Sequence, residues 1–566
     1  MLRRLSGAEL RGDGDPLLRR DTGIGEKERG RPDNHRLPTL PVQPRRQAKG
    51  DRRNGGRLQA PAGPLLHRAS DAGARRRQGS HLEGPPLRRS LPGASRARPS
   101  GVTGVALTPE KPRVLVIGGG ITGITAALDL AEAGNEVVMV ERLPSVGGRM
   151  LQLSETFPTL DCAQCTLTPR TVETGQHPNI RLLAYSEVVG LEGEAGNFKV
   201  KIRRIPSYVD FKKCTGCGAC QEACPKKVKT NPFERGVGVK KAIYTLSPQA
   251  IPNKPVIDAE NCRFLTSGKC GVCKKICPVG AIDYEMKESF VEEEVSAVIV
   301  ATGFDLYPMS ALPEYGYGEI PDVIDGLAME RMCSASGPTG GEVRRPSDGK
   351  VPESVVFIQC VGSRDPAHHK PYCSRVCCMY TGKHARLYKH KVHHGKAFVL
   401  FMDVRATGKG YEEFIQQSVE EEGLVYLRGR VSRLYRDGEQ IVVEGVDTLL
   451  GKAVEIRADM VVLATAIVPG PGQEELAKTL GIETDQSGFL KESHYKTGSM
   501  DTAKEGIFIA GCAQGPRDIA DSSAHGSAAA SRVQALLARS GRLFKNVERS
   551  PGFKETRSEK RDITSG

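Results

Sequence analysis

Nowhere in its 566 residues does the chain contain a run of 18 apolar residues, and no signal peptide is recognisable. Neither a membrane-spanning helix nor secretion is therefore expected. The first 100 residues contain no Cys, Phe, Tyr or Trp. They are rich in Arg, Pro and Gly and lack apolar periodicity, so they cannot bury enough surface to offset chain entropy. They hold 23 Lys+Arg against 10 Asp+Glu, whereas the other 466 residues hold 58 against 57. The net charge of +14 is thus a property of the N-terminal fifth, and it gives the rest of the chain no reason to bind nucleic acid. Of those 23 cations, 21 are Arg, which fits translation of GC-rich DNA ahead of a true start. Residues 1–108 are expected to be a disordered or spurious extension rather than a nucleic-acid arm, a membrane arm or a presequence.

What is present begins with Arg113-Val-Leu-Val-Ile117, a β-branched run of buried-strand length, stopped by Gly118, Gly120 and Gly123. A helical apolar pattern follows, then a second strand that ends on Glu141. In such a unit the first glycine makes the tight turn and the second lets the backbone approach a pyrophosphate. The third packs the helix on the strand, and the acid takes ribose hydroxyls. Arg142, Gly148 and Arg149 follow at once, and a later strand ends on Ala301-Thr302-Gly303. In flavoproteins with two dinucleotide domains, the glycine pair lies against FAD and an Ala-Thr-Gly closes the domain. Gly511 and Cys512, at the end of one more strand, complete the candidate FAD site. The fold class is α/β, a thioredoxin-reductase-like two-dinucleotide-binding flavoprotein with an inserted α+β ferredoxin domain. The parts are 109–206, 288–310 and 469–544 for FAD, 207–287 for the insert, 311–350 for a linker, 351–468 for the second domain, and 545–566 for a polar tail.

Sixteen cysteines in a secreted chain would suggest disulfides, but their spacings point to metal. Cys214-x2-Cys217-x2-Cys220-x3-Cys224-Pro225 is the ferredoxin run for a [4Fe–4S] cluster. Cys262-x7-Cys270-x2-Cys273-x3-Cys277-Pro278 repeats it with five extra residues in the first gap. In such runs the fourth cysteine serves the neighbouring cluster. Cys214, Cys217, Cys220 and Cys277 are therefore expected around one cluster, and Cys224, Cys262, Cys270 and Cys273 around the other. A four-cysteine zinc site is the competing reading, and tandem runs closed by Cys-Pro favour iron–sulfur.

The second dinucleotide domain lacks its glycine fingerprint. Its first strand, Ser354 to Gln359, turns at Cys360-Val-Gly-Ser363 instead. With Cys373, Cys377 and Cys378 this makes C-x12-C-x3-C-C, enough thiols for a third [4Fe–4S] cluster. Six histidines between His368 and His394 are alternative ligands, but among Lys and Arg they read as a solvated helix face. Cys162 and Cys165 fit a redox pair beside a flavin, half of a metal site, or two buried thiols. No nucleophilic triad or general acid–base pair stands out.

These motifs together resemble the A-type iron–sulfur flavoprotein of the CoB–CoM heterodisulfide reductase family over about residues 105–540. The resemblance is carried by Cys162-Ala-Gln-Cys165, Lys241-Ala-Ile-Tyr244, Cys360-Val-Gly-Ser-Arg364, Tyr372-Cys-Ser-Arg-Val-Cys-Cys378, Gly408-Lys-Gly-Tyr-Glu-Glu413 and Ala510-Gly-Cys-Ala-Gln-Gly-Pro516. It implies a cytoplasmic electron-transfer flavoprotein in an oligomeric complex with B- and C-like subunits, the B-like one reducing a disulfide. Its implied electron partners are a ferredoxin or a hydrogenase small subunit. In methanogens, bifurcation of electron pairs is implied as well. By the same resemblance, Cys360, Cys373, Cys377 and Cys378 hold a cluster near the flavin. Methanogen members also carry an N-terminal cluster domain and a C-terminal second ferredoxin domain that this sequence does not show, which leaves bifurcation open. Two alternatives remain. One is the A-type flavoprotein of a quinone-interacting complex, which lacks the insert. The other is an NAD(P)H-dependent disulfide oxidoreductase.

Overall fold

A computed structural model describes residues 112–229 and 231–539. The expectations for 1–108 and for the tail 545–566 fall outside these residues. Strand β1 (Arg113–Ile117) leads through the glycine turn into α1 (Ile121–Glu132) and β2 (Glu136–Glu141). Gly134, at φ +87°, follows the helix's last turn, where a Cβ would strain the backbone. After α2 (Ala163–Gln176) and β3 (Ile180–Ala184), the chain forms β4 (Ser186–Glu194) and β5 (Asn197–Arg204).

The insert follows, with α3 (Ala219–Ala223), α4 (Arg263–Ser267) and α5 (Val272–Ile276). The chain returns through β6 (Ser289–Val295) and β7 (Ala297–Val300). β5 and β6 are antiparallel neighbours, with Ser289 opposite Arg204. The ferredoxin-type segment therefore replaces the turn of a β-hairpin. Its two ends are stitched by a bridge between Val209 and Ile282. Insertion at such a turn leaves the host ladder intact.

The second domain consists of β8 (Val323–Asp325), α6 (Gly326–Cys333), β9 (Ser354–Val361), α7 (Cys377–Lys391), β10 (Lys396–Phe401), α8 (Tyr411–Glu420), β11 (Val425–Asp437), β12 (Gln440–Asp447), β13 (Lys452–Ala458) and β14 (Met460–Thr465). Its seven-stranded sheet has the order β8-β14-β9-β10-β11-β12-β13, parallel as far as β11 and antiparallel beyond it. The stretch 311–350, expected as a linker, thus supplies an edge strand and a helix that is buried throughout. Its apolar residues are few and interleaved with Gly, Pro and charge, which hid them from a periodicity reading.

α9 (Gln473–Leu480), β15 (Ile507–Ile509) and α10 (Ile519–Arg539) complete the first domain. Its sheet is wholly parallel, in the order β15-β7-β1-β2-β3. Val114 and Val116 pack with α1 and α10 on one face. Leu115 and Ile117 pack with Phe198, Val200 and Ile202 of the antiparallel sheet on the other. Both faces are covered, which is why β1 is apolar at every position but its first. Among the described residues no helix is long and apolar enough to cross a membrane.

Candidate functional site

The carboxyl ends of the parallel sheet open into a cleft of about 1180 Å³. Gly118, Gly120, Glu141, Arg142, Gly148, Arg149, Ala301, Thr302, Gly303 and Cys512 all line it. The three glycines of the fingerprint do different work. Gly118 has φ +106°, and a Cβ there would meet the Ala301 carbonyl oxygen at 2.3 Å. A Cβ on Gly120 would meet nothing within 4 Å, so the backbone at the N-terminus of α1 is bare toward the cleft. Gly123 lies behind, where a Cβ would stand 1.9 Å from the Gly118 carbonyl oxygen. This is the cradle an FAD pyrophosphate requires: a turn, an open approach and a close helix–strand contact. Gly511 is also behind the surface, at φ +65° against Thr122.

Glu141 is buried, and burial pushes its carboxyl up against the pull of its backbone donors. Gly119 N–H donates to one oxygen at 2.6 Å and Leu143 N–H to the other at 2.7 Å. Each oxygen keeps a second lone pair for a ribose hydroxyl. Gln473, which the sequence reading missed, ties the walls together. Its amide nitrogen donates to the Ala513 carbonyl at 3.0 Å, and its amide oxygen faces the Thr302 hydroxyl at 3.3 Å. The N-terminus of α10 reaches the same cleft through Ile519, Ala520 and Ser522.

The insert supplies a further wall of the cleft, through Asn231 to Phe233, Lys240, Tyr244 and Leu246. It also encloses two small voids. One is lined by Cys214, Cys217, Cys220 and Cys277, the other by Cys224, Cys262, Cys270 and Cys273. These are the two crossed sets that the ferredoxin spacing implies. Among the described residues no three His, Cys, Asp or Glu side chains close in on a single-ion site. Four thiols around each void match the donor set of an iron–sulfur cluster.

In the second domain β9 bulges between Ile358 and Val361, and Cys360 turns over at φ +59°. Its buried thiol meets Cys377, which is buried beside Cys378 at the start of α7. The Cys377 thiol and the Arg364 guanidinium draw the Cys360 thiol down to about 7. Cys373 is half-buried on the preceding loop, its sulfur accepting the Arg375 N–H at 3.3 Å.

Two expectations change. Cys162 and Cys165 are both exposed, which removes the reading as buried thiols. Neither lines the cleft, although Asp161 and Thr166 do. Cys162 caps α2, its sulfur accepting the Cys165 N–H at 3.3 Å. The second change concerns the histidines. His384 is 1% exposed, not part of a solvated face. Its Nε2 lies 2.6 Å from Glu330 Oε1, the same oxygen that Lys383 Nζ engages. The other Glu330 oxygen accepts the Ser154 N–H and hydroxyl, each at 3.0 Å. Burial disfavours the Glu330 carboxylate, yet Lys383 and His384 overcome that and hold it well below its ordinary range. All three side chains border the cleft. They form a buried polar network that ties α6 and α7 to Ser154 and Glu155 of the first domain, and no sequence motif announced it.

Residues 113–167 match a family described as FAD dependent oxidoreductase, and residues 207–230 match the 4Fe-4S binding domain. The A-type polypeptide of the H(2):CoB-CoM heterodisulfide,ferredoxin reductase of Methanothermobacter marburgensis is 48% identical over 422 residues, covering 74% of this chain and 63% of that protein. An Archaeoglobus profundus protein named for its likeness to the same heterodisulfide reductase polypeptide is 44% identical over 466 residues, covering 75% and 66%. Over this span the chain belongs to the A-type heterodisulfide reductase family. It spans about 63–66% of the length of these two relatives. Among solved structures, the thioredoxin reductase of T. acidophilum is similar, with a TM-score of 0.42 and 12% identity, covering 75% of this chain and 99% of its own. The fold assignment rests on the strand orders above. The chain has an α/β fold that carries an FAD-dependent-oxidoreductase-type segment and a 4Fe-4S-type segment.

Proposed function

We propose that this chain is the iron–sulfur flavoprotein of a heterodisulfide-reductase-type complex, relaying electrons toward a disulfide-reducing partner protein. When bound, FAD exchanges electrons in pairs and [4Fe–4S] clusters move them singly. Gly120 leaves room for the FAD phosphates, Gly118 and Gly148 allow the close backbone contacts that shape the turn around it, Glu141 fixes the ribose, and Ala301 to Gly303 with Cys512 close the far wall. The bare N–H groups at the start of α1 take phosphate charge. Arg149 is held by Asp305 at 2.5 Å and by Gln152 at 3.0 Å, so it shapes the cleft. Three clusters are inferred: one on Cys214, Cys217, Cys220 and Cys277, one on Cys224, Cys262, Cys270 and Cys273, and one on Cys360, Cys373, Cys377 and Cys378.

One observation carries this reading: a single cleft is bordered by the glycine cradle, by the insert and by the segment behind Cys377. Electron transfer needs such proximity and no further catalytic group. An NAD(P)H-dependent disulfide reductase is less well supported, because the second sheet has no glycine turn and Cys162 and Cys165 lie outside the cleft. The insert weighs against the quinone-interacting complex. B- and C-like subunits, a ferredoxin or hydrogenase partner, a cytoplasmic site and bifurcation belong to the same proposal. Anaerobic purification of the native complex tests it. About 12 iron and one FAD per chain are expected, with the B- and C-like subunits co-purifying, and fewer than about 8 iron would sink the three-cluster assignment.

A further inference from the structure

The two sulfur-lined voids of the insert are chemically unequal. In the void of Cys214, Cys217, Cys220 and Cys277, the donors to sulfur among the described residues are backbone groups. Gly216 N–H reaches Cys214 Sγ at 3.4 Å, and Ala281 N–H reaches Cys277 Sγ at 3.2 Å. The remaining walls are small or apolar and carry no charged or aromatic side chain. The void of Cys224, Cys262, Cys270 and Cys273 has a phenol instead. Tyr284 Oη lies 2.9 Å from Cys273 Sγ, and both residues are buried. Phe264 stacks on the Tyr284 ring, with centroids 3.9 Å apart and planes at 21°. Lys274 Nζ stands 5.8 Å from that ring, and Lys226 and Arg263 border the void. Arg263 and Phe264 belong to α4, which lies within the seven-residue gap between Cys262 and Cys270. The five residues in excess of the ferredoxin spacing therefore supply the ring that holds Tyr284 and one of the cations.

We propose that Tyr284 sets the reduction potential of the second cluster, making it easier to reduce than the first. A cluster's ligand sulfurs carry more negative charge when it is reduced. A thiolate then accepts the phenolic O–H more strongly, and nearby cations favour the same state. Cations stand near both sites, Lys226, Arg263 and Lys274 at the second and Lys254, which donates to the Cys214 carbonyl, at the first, whereas the phenol on a ligand sulfur has no counterpart among the walls of the first void. An electron shared between the two sites settles on the side of Cys273. Tyr284 is a positioning residue here, acting through the ligand sulfur. This inference rests on the cluster assignment proposed above.

The test is a redox titration of the anaerobically purified full chain, followed by electron paramagnetic resonance. Tyr284→Phe keeps the ring stack and removes only the hydroxyl. Its expected result is a negative shift of one cluster midpoint, with the others unmoved and the iron content unchanged. Cys270→Ser, at an exposed position of the same void, should perturb that same signal, and Cys217→Ser a different one. A midpoint unmoved by Tyr284→Phe at full iron overturns the role of Tyr284 and leaves the cluster assignment standing. Iron below about 8 per chain in the unsubstituted protein overturns both. Should Tyr284→Phe fail to fold, the unsubstituted protein decides, since equal midpoints for the two insert clusters overturn the proposal.

Discussion

The two parallel sheets of this molecule meet the same geometric problem and answer it with different residues. At the end of β1 the backbone turns over at Gly118, φ +106°, and at the end of β9 it turns over at Cys360, φ +59°. In the first sheet the missing Cβ leaves room for the Ala301 carbonyl and bares the start of α1. In the second, the left-handed residue is a cysteine, and the buried thiols of α7 come to meet it. A strand end in an α/β sheet is where a ligand is met. Which ligand follows from whether the turning residue carries no side chain or a thiol.

The largest effect is expected where the first turn has no slack. A Cβ on Gly123 would fall 1.9 Å from the Gly118 carbonyl oxygen, which is backbone and cannot step aside. Gly123→Ala should abolish flavin binding and leave the protein insoluble or lacking flavin absorbance. Gly120→Ala faces open space, so it should fold and lose flavin affinity alone. If both variants retain full flavin, the glycine cradle is not the phosphate site.

Next comes the buried ion network around Glu330. Glu330→Ala would strand buried Lys383, at a cost of about 3–5 kcal/mol, and Glu330→Ala with Lys383→Met should recover much of it. Denaturant unfolding of the two variants checks this, and equal stabilities would remove the pairing argument. The pH dependence follows in sign. The folded carboxyl of Glu330 lies below its ordinary value near 4.5, so its stabilisation is complete above that value. It is lost as pH falls toward strong acid. The Glu330→Ala variant should lack that part of the acid transition.

The cradle was readable from sequence because three glycines at fixed spacing between two apolar strands have few other uses. The crossed cysteine sets were readable because a ferredoxin run seats three thiols in one loop and sends the fourth to the neighbouring set. Glu330, Lys383 and His384 were hidden for a physical reason. A buried ion network has the composition of a solvated surface, and only the fold shows that Ser154 and the α6–α7 contact exclude water from it. Gln473 and Tyr284 escaped for the same reason, since a single polar side chain has no period. The 311–350 stretch shows that a three-residue edge strand is too short for alternation to register.

A smaller effect tests the second turn. Left-handed backbone costs a residue with a Cβ about 1–2 kcal/mol relative to glycine. Cys360→Gly should therefore raise the stability of the iron-free protein by about 1 kcal/mol while lowering iron from about 12 to about 8 per chain. Iron analysis beside thermal unfolding separates the two. Unchanged iron would mean that the second sheet has not exchanged a phosphate site for a cluster.

The smallest effect lies outside both turns, at Cys162 and Cys165. Both are exposed, so serine at either should change stability by less than about 0.5 kcal/mol. Their difference is chemical. The Cys165 thiol donates to Cys162 and, with backbone N–H groups at the start of α2, lowers its thiol below the ordinary value, while Cys165 is raised. Cys162 should therefore alkylate first, and Cys165→Ser should move its pH–rate profile. If the pair is half of a metal site shared with another polypeptide, assembly of the native complex should protect both thiols from alkylation. If it is a redox pair, mild oxidation should protect them in the isolated chain. Protection by neither treatment would leave the pair as a helix cap alone, with no part in the contrast between the two sheet ends.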